Sequence, residues 1–222
     1  MSKVNRATAA ASFSVSFTVG LYGIAFGAAG IAAGFSLLQT CILSLLTFSG
    51  ASQFAVVGVL GAGGTAISGI TTASLLGIRN ALYGMRMAPI MNFRGLKRVV
   101  GAQLTIDEST GVALGQSERG IDAMRQGFWL TGIGVYLFWN LFTVLGALGA
   151  QAMGDPAAWG LDSAVPAAFL GLVWPRLTNK KERILAVTAM ALSLALTPFV
   201  AAGLPIISTA LLAVAFGWKA NK

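Results

Sequence analysis

Three groups of residues in this sequence could do chemistry, and all three lie in or beside strongly apolar stretches. Asp107 and Glu108 are adjacent carboxylates in the company of Thr105, Ser109 and Thr110. Partly desolvated, such a pair favours holding one proton between its two repelling charges, which suits a group that must take up and release protons. In water the same pair is an ordinary acidic loop. Arg79, Tyr83 and Arg86 share one face of a helix, with Asn80 beside them. A guanidinium there needs a cavity or a carboxylate partner, since a cation facing lipid is costly. The third group is the small and polar run Phe48-Ser49-Gly50-Ala51-Ser52-Gln53-Phe54, which interrupts an apolar segment near its middle. A helix broken at that depth must have its backbone polar groups satisfied by protein or by a water-filled cavity. The same Ser and Gly residues also serve plain helix packing.

Other chemistries lack their residues. There is no histidine and a single cysteine, Cys41, so an internal disulfide is ruled out and zinc and haem sites have no usual ligand set. Ser-His and Cys-His catalysis go with them. A nucleophilic Ser49 or Ser52 would need a lysine base, and the apolar segments contain none. The expectation is a protein that is not an enzyme and carries neither metal nor cofactor, with Cys41 a small buried hydrophobe.

The elements that must position these groups are membrane helices. Between Arg6 and Arg79 no Lys, Arg, Asp or Glu occurs, and two more charge-free tracts run from Gln126 to Gly154 and from Ile184 to Trp218. Hydrophobic residues make up 56% of the chain, charged ones only 10%, and the mean hydropathy is +0.78, which no water-soluble domain could cover with hydrated surface. A spanning helix takes about 20 such residues. The fold expected is therefore an all-α, polytopic membrane bundle of about six or seven elements, with residues 1–222 forming one integral membrane domain. The net charge of +8 would suggest nucleic acid in a soluble protein. Here Lys and Arg cluster between apolar tracts, the positive-inside pattern of cytoplasmic loops, so a lipid bilayer and no nucleic acid is implied.

Expected spans run from about Phe13 to Ala33, Leu37 to Leu60 and Ala66 to Met91. The apolar stretch after Lys3 and Arg6 outlasts a signal peptide's core and reads as an uncleaved first span. Glycines 20, 23, 27, 30 and 34 form one stripe along it, fit for close helix approach within the chain or against a partner. Gly101 to Ser117 is too polar and too short for an ordinary span, and basic residues flank it on both sides, so it should enter and leave by one face. Phe128 to Ala152 then crosses outward to a loop with Asp155 and Asp162. Val165 to Trp174 returns to a basic loop, Arg176 to Arg183, and two short elements broken by Pro198 and by Gly203-Leu204-Pro205 end at Lys219 to Lys222. If Lys3 and Arg6 are cytoplasmic, residues 7–91 cross an even number of times, so one of the first three elements is re-entrant; the second is the candidate.

The run FSGASQFAVVGVL at 48–60, the stretch IRNALYGMRMAPIM at 78–91 and LTIDEST at 104–110 together resemble the AzlC family, the large subunits of bacterial branched-chain amino acid exporters of the LIV-E type. The resemblance covers nearly the whole chain in length and order of segments. Two local departures are Gly77-Ile78-Arg79-Asn80, where Asn-Leu-Arg-His or similar is common, and Ile106, inserted before an Asp-Glu that usually follows Leu-Thr directly. The resemblance implies a multi-pass subunit of the bacterial inner membrane that exports leucine, isoleucine, valine and methionine. It implies drive by the proton motive force and a small AzlD-type membrane partner. A homodimer would use the same glycine surface. Carried onto this sequence, it implies a substrate-binding region at Ser49, Gly50, Ser52 and Gln53, with Arg79 and Asp107 as polar partners. On physical grounds Arg79 is a second candidate for the substrate carboxylate, and Asp107 or Glu108 either holds the ammonium or acts as the proton-coupling group. Two other classes compete: a passive channel or structural membrane subunit, and an intramembrane enzyme, which the missing histidine disfavours.

Overall fold

A computed structural model describes residues 6–154, 158, 160, 163–200 and 202–220. Lys3, Asp155, Asp162 and Lys222 lie outside the described residues. Helices α1 (Arg6–Gly20) and α2 (Tyr22–Ala32) are interrupted only at Leu21, whose backbone stays helical, and together with α8 (Ile121–Ala152) they are the two runs long and apolar enough to cross a membrane by composition, each with mean hydropathy 1.6. Between them come α3 (Leu37–Thr47), α4 (Gly50–Gly61), α5 (Ala66–Met91), α6 (Leu96–Gln103) and α7 (Asp107–Gly115); α9 (Ala164–Val173), α10 (Lys180–Leu196) and α11 (Leu204–Ala220) follow. No strand occurs among the described residues, and the chain is an all-α membrane helical bundle.

Burial departs from that of a soluble domain, although Phe26, Phe54 and Phe128 are enclosed in an apolar core. Leu46, Ile67 and Phe199 are 72%, 78% and 82% exposed, while the hydroxyls of Thr8, Ser12, Ser16, Thr40, Ser44, Thr131 and Thr143 are wholly enclosed. Lipid replaces water as the outer solvent, so apolar side chains gain nothing by turning inward, and small residues with hydrogen-bonding side chains fill the interfaces instead. Ser16 donates to the Thr131 carbonyl and Ser44 meets Thr143 at 3.3 Å.

Four of the five stripe glycines pack inside the chain, and Gly34 stays exposed, with nothing within 4 Å of a methyl placed there. A methyl at Gly20 would meet Phe138, at Gly23 the backbone of Trp139, and at Gly27 the backbone of Thr143 and Ala147. These partners advance together, so α1–α2 and α8 run parallel in near backbone contact. Gly30 faces Thr40 of α3. The stripe therefore gives no argument for a second protein. Cys41 is half-buried rather than buried, because α3 turns one side outward.

The second expected span is a hairpin. Its helical break is narrower than the polar run suggested: only Phe48 (φ 20°, ψ 60°) and Ser49 (φ −153°, ψ 97°) leave the helix, and Gly50 to Phe54 are helical again. The two arms fold back on each other, since the Gln53 amide donates to the Ser44 carbonyl at 3.0 Å and Gly61, at the end of α4, lies against Ala33, just before α3. Ser36 caps α3 by accepting from the Gln39 backbone. At about 1.5 Å per residue each arm is roughly 17 Å long, half a membrane.

A second hairpin enters from the opposite end. From the close of α5, α6 leads inward to the bend Leu104–Ile106, and α7 leads back, until Gln116 accepts a hydrogen bond from Thr8 at the start of α1. Arg125, early in α8, donates to the Ile90 carbonyl near the end of α5, which sets α5 antiparallel to α8. The polar stretch 101–117 thus enters and leaves by one end, as its flanking charges required.

The C-terminal part departs from expectation in one respect. Helix α9 has ten residues, about 15 Å at the helical rise, and its Gly171 lies beside Tyr22, midway along the α1–α2 run. Pro175 closes the segment. It is too short to cross back alone. Helices α10 and α11, separated between Thr197 and Gly203, pack on each other as two arms.

Candidate functional site

The two hairpins meet tip to tip. The Gln103 amide, at the tip of the second, donates to the Leu45 and Leu46 carbonyls near the tip of the first, both at 3.2 Å. Between the tips lies a cavity of about 40 Å³. One wall is Phe48, Ser49, Gly50 and Ala51, the opposite one Ile106, Asp107 and Glu108. Helix α5 supplies Arg79 and Asn80, and α8 supplies Val135 and Trp139. A water needs about 10–15 Å³ of such space, so the cavity has room for roughly two or three waters.

Both tips place a half-helix N-terminus on this cavity. The Ser49 hydroxyl donates to Ser52 Oγ at 3.2 Å instead of capping α4, and Ser52 Oγ donates to the Ala73 carbonyl at 2.9 Å, tying the tip to α5. The first N–H groups of α4 therefore have no side-chain cap. At α7 the residue before the helix is Ile106, whose own N–H is taken by Ser109 Oγ while that hydroxyl donates to the Leu104 carbonyl at 2.6 Å. Asp107 and Glu108 fill the first turn, where negative charge complements the helix dipole.

The charged core is an ion pair. Arg79 Nη1 stands 2.9 Å from Asp107 Oδ2, with the side chains 31% and 17% exposed. Arg79 is about 20 Å along a helix about 39 Å long, at mid-depth of the bundle. Both readings of that cation hold at once, because it faces a cavity and a carboxylate. Arg79 Nε and Asn80 Oδ1 are buried and have no hydrogen-bond partner among the described residues.

Trp139 forms an aromatic side of the cavity, stacked on Phe26 with centroids 6.2 Å apart and edge-on to Phe54 at 6.3 Å. Gly50 lets it approach: a Cβ there would stand 3.0 Å from the indole Cη2. A larger groove of about 440 Å³ lies between α3–α4 and α5, and Ser49 and Asn80 line it as well as the cavity.

Of the sequence-based candidates, Ser49, Gly50, Arg79, Asp107 and Glu108 come together around the cavity. Ser52 faces the groove. Gln53 lines neither; it is fully buried and its amide ties the arms of the first hairpin through Ser44. Asn80 was visible beside Arg79 but carried no distinguishing signal of its own. Nothing in the sequence separates Trp139 from the other tryptophans, since its place follows from how α8 packs.

Comparison with known proteins gives two matches. The AzlC protein family matches residues 14–153, a stretch that contains both hairpins, α5 and α8. Inner membrane protein YgaZ of Escherichia coli (strain K12) is 29% identical over 172 residues, 74% of this chain and 69% of that protein. No solved structure matches.

Proposed function

Because the chain belongs to the AzlC family, a membrane protein of transporter type, we propose that it is the large subunit of a secondary transporter that exports branched-chain and other aliphatic amino acids. It works across the bacterial inner membrane as a multi-pass protein, driven by the proton motive force, together with a small AzlD-type membrane subunit. The observation that carries this reading is the Arg79–Asp107 pair set between two facing half-helix N-termini at mid-depth.

An aliphatic amino acid is a zwitterion, with one anion and one cation to satisfy. Inserted between Arg79 and Asp107 it replaces the internal ion pair by a contact at each end, the guanidinium gripping the carboxylate and Asp107 the ammonium. The uncapped N-terminus of α4 adds backbone N–H groups for the carboxylate, as broken helices do in other transporters. A proton on Asp107 removes the negative charge that holds the ammonium and so favours release of the substrate. Proton and substrate then compete for one carboxylate, which is the requirement for exchanging a proton inward for an amino acid outward. Glu108, on the same wall, offers the proton a neighbouring site. A cavity this small supports a gated carrier over an open pore, because an amino acid passes only when the tips separate.

The test is efflux of preloaded radiolabelled leucine from cells that express the chain with and without the small subunit, before and after a protonophore. Efflux that needs both chains and collapses with the protonophore is expected. Efflux indifferent to the protonophore would replace the coupled exporter by a passive facilitator.

A further inference from the structure

The cavity that takes the charged head group of such a substrate has about 40 Å³, a small fraction of the space in the groove beside it. The groove between the first hairpin and α5 has about 440 Å³ and shares Ser49 and Asn80 with the cavity, so these two residues are the partition between a charged chamber and a larger one. Its walls are Leu43 and Val56 from the hairpin and Ile70, Ala73 and Gly77 from α5, with Ser74 on the exposed rim. The hairpin wall is pinned, since Ser52 hydrogen-bonds the Ala73 carbonyl across it. Asn80 Oδ1, at the partition, is a buried acceptor with no partner among the described residues. A neutral acceptor beside an apolar slot fits an ammonium whose carbon chain lies in that slot.

We infer that the groove between the first hairpin and α5 receives the aliphatic side chain of the amino acid, with Asn80 accepting from its ammonium at the partition. This assignment rests on the proposed export of aliphatic amino acids and adds where selectivity is set. A groove of this width, bounded by Ala73 and Gly77, accepts leucine, isoleucine and valine alike, because one methylene in an apolar pocket separates them by only about 1–3 kcal/mol.

Gly77 gives the test. A Cβ there would meet only Ser52 Oγ at 3.6 Å, an ordinary contact, so a side chain can be grown into the groove without displacing backbone. Leucine and alanine efflux are compared in cells carrying the full chain and its small subunit, for the wild type, Gly77→Leu, Gly77→Ala and Ser74→Leu. Gly77→Leu is expected to raise the half-saturating concentration for leucine about tenfold or more while leaving that for alanine within about threefold, the loss of a few methylenes' worth of room. Gly77→Ala should fall between, and Ser74→Leu should shift selectivity the same way from the rim. Asn80→Ala should weaken both substrates equally, since both carry the ammonium. Unchanged leucine-to-alanine selectivity in Gly77→Leu and Ser74→Leu, with export intact, would overturn the groove and leave the exporter standing. A wild type that exports no aliphatic amino acid would overturn both.

Discussion

At the scale of single residues, the Arg79–Asp107 pair is the most consequential contact in the chain. Removing one partner of a buried pair leaves the other charge uncompensated at a cost of about 3–5 kcal/mol, and both side chains here are partly exposed to the cavity, so the cost should fall below that range. Asp107→Asn keeps the shape and a hydrogen-bond acceptor but cannot carry a proton. It should reach the membrane in normal amount and lose energy-driven leucine export; full activity in that variant would remove Asp107 from the coupling path. Exchanging the two residues, Arg79→Asp with Asp107→Arg, separates structure from substrate binding. Restored protein level without restored export is expected, whereas restored export would make the pair a structural strut. Gln53 has moved between these categories. Its amide fastens α4 to α3, so Gln53→Ala should lower thermal stability and leave the half-saturating leucine concentration of the surviving protein unchanged.

At the scale of elements, close approach of α1–α2 to α8 is what lets the bundle hold its site. Gly27→Ala would drive a methyl into the Thr143 carbonyl and the Ala147 nitrogen, which are backbone and cannot swing aside. Overpacking of this kind costs about 1–3 kcal/mol. A thermal unfolding series in mild detergent should show it, with Gly84→Ala, which meets nothing within 4 Å, as an inert comparison. The start of α10 is held differently, by a carboxylate. The backbone N–H of Asn179 and the Thr178 hydroxyl keep the Glu182 carboxyl below its ordinary range. A folded-state value below the unfolded one means the cap is fully present above the ordinary value of about 4.5 and is lost as pH falls through the lowered one. Amide protection at residues 180–184, taken relative to the intrinsic exchange rate at each pH, should therefore fall only in that acid window, and Glu182→Gln should abolish that fall.

At the scale of the whole molecule, the two hairpins enter the bundle from opposite ends. Both arms of the first hairpin start and end near Ala33 and Gly61, so the Ala62 turn and the Ser117 turn lie at opposite ends of the bundle, and two full passes within residues 7–91 are the crossing pattern to test. In a Cys41→Ala background, Ala62→Cys should react with an impermeant thiol reagent added outside and Ser117→Cys only after permeabilisation. Labelling of both from one side would make the first hairpin a true span. The broad apolar exterior, seen at Ile67, Leu82 and Met85 of α5, is in contact with lipid or with a companion subunit. Gly20, Gly23 and Gly27 are enclosed against α8 and Gly30 against α3, which leaves Gly34 as the exposed glycine of the stripe.

Composition and charge spacing were enough to determine the solvent, the helical class and the polar residues at depth. These follow from local chemistry, because a bilayer forbids charge and open backbone wherever they fall. A break within the run 48–54 was also legible, as one of two readings of Ser and Gly at mid-span, the other being plain helix packing; only Phe48 and Ser49 leave the helix. What the chain alone left undecided was every relation between distant segments. Folding brought the tip at Ser49 to the tip at Asp107, closed Arg79 on Asp107 across 28 positions (107 − 79), and turned four of the five stripe glycines inward. It placed Gln53 away from the cavity and Asn80 and Trp139 on it. Those outcomes depend on which helix faces which, and periodicity along a single helix does not encode its neighbour.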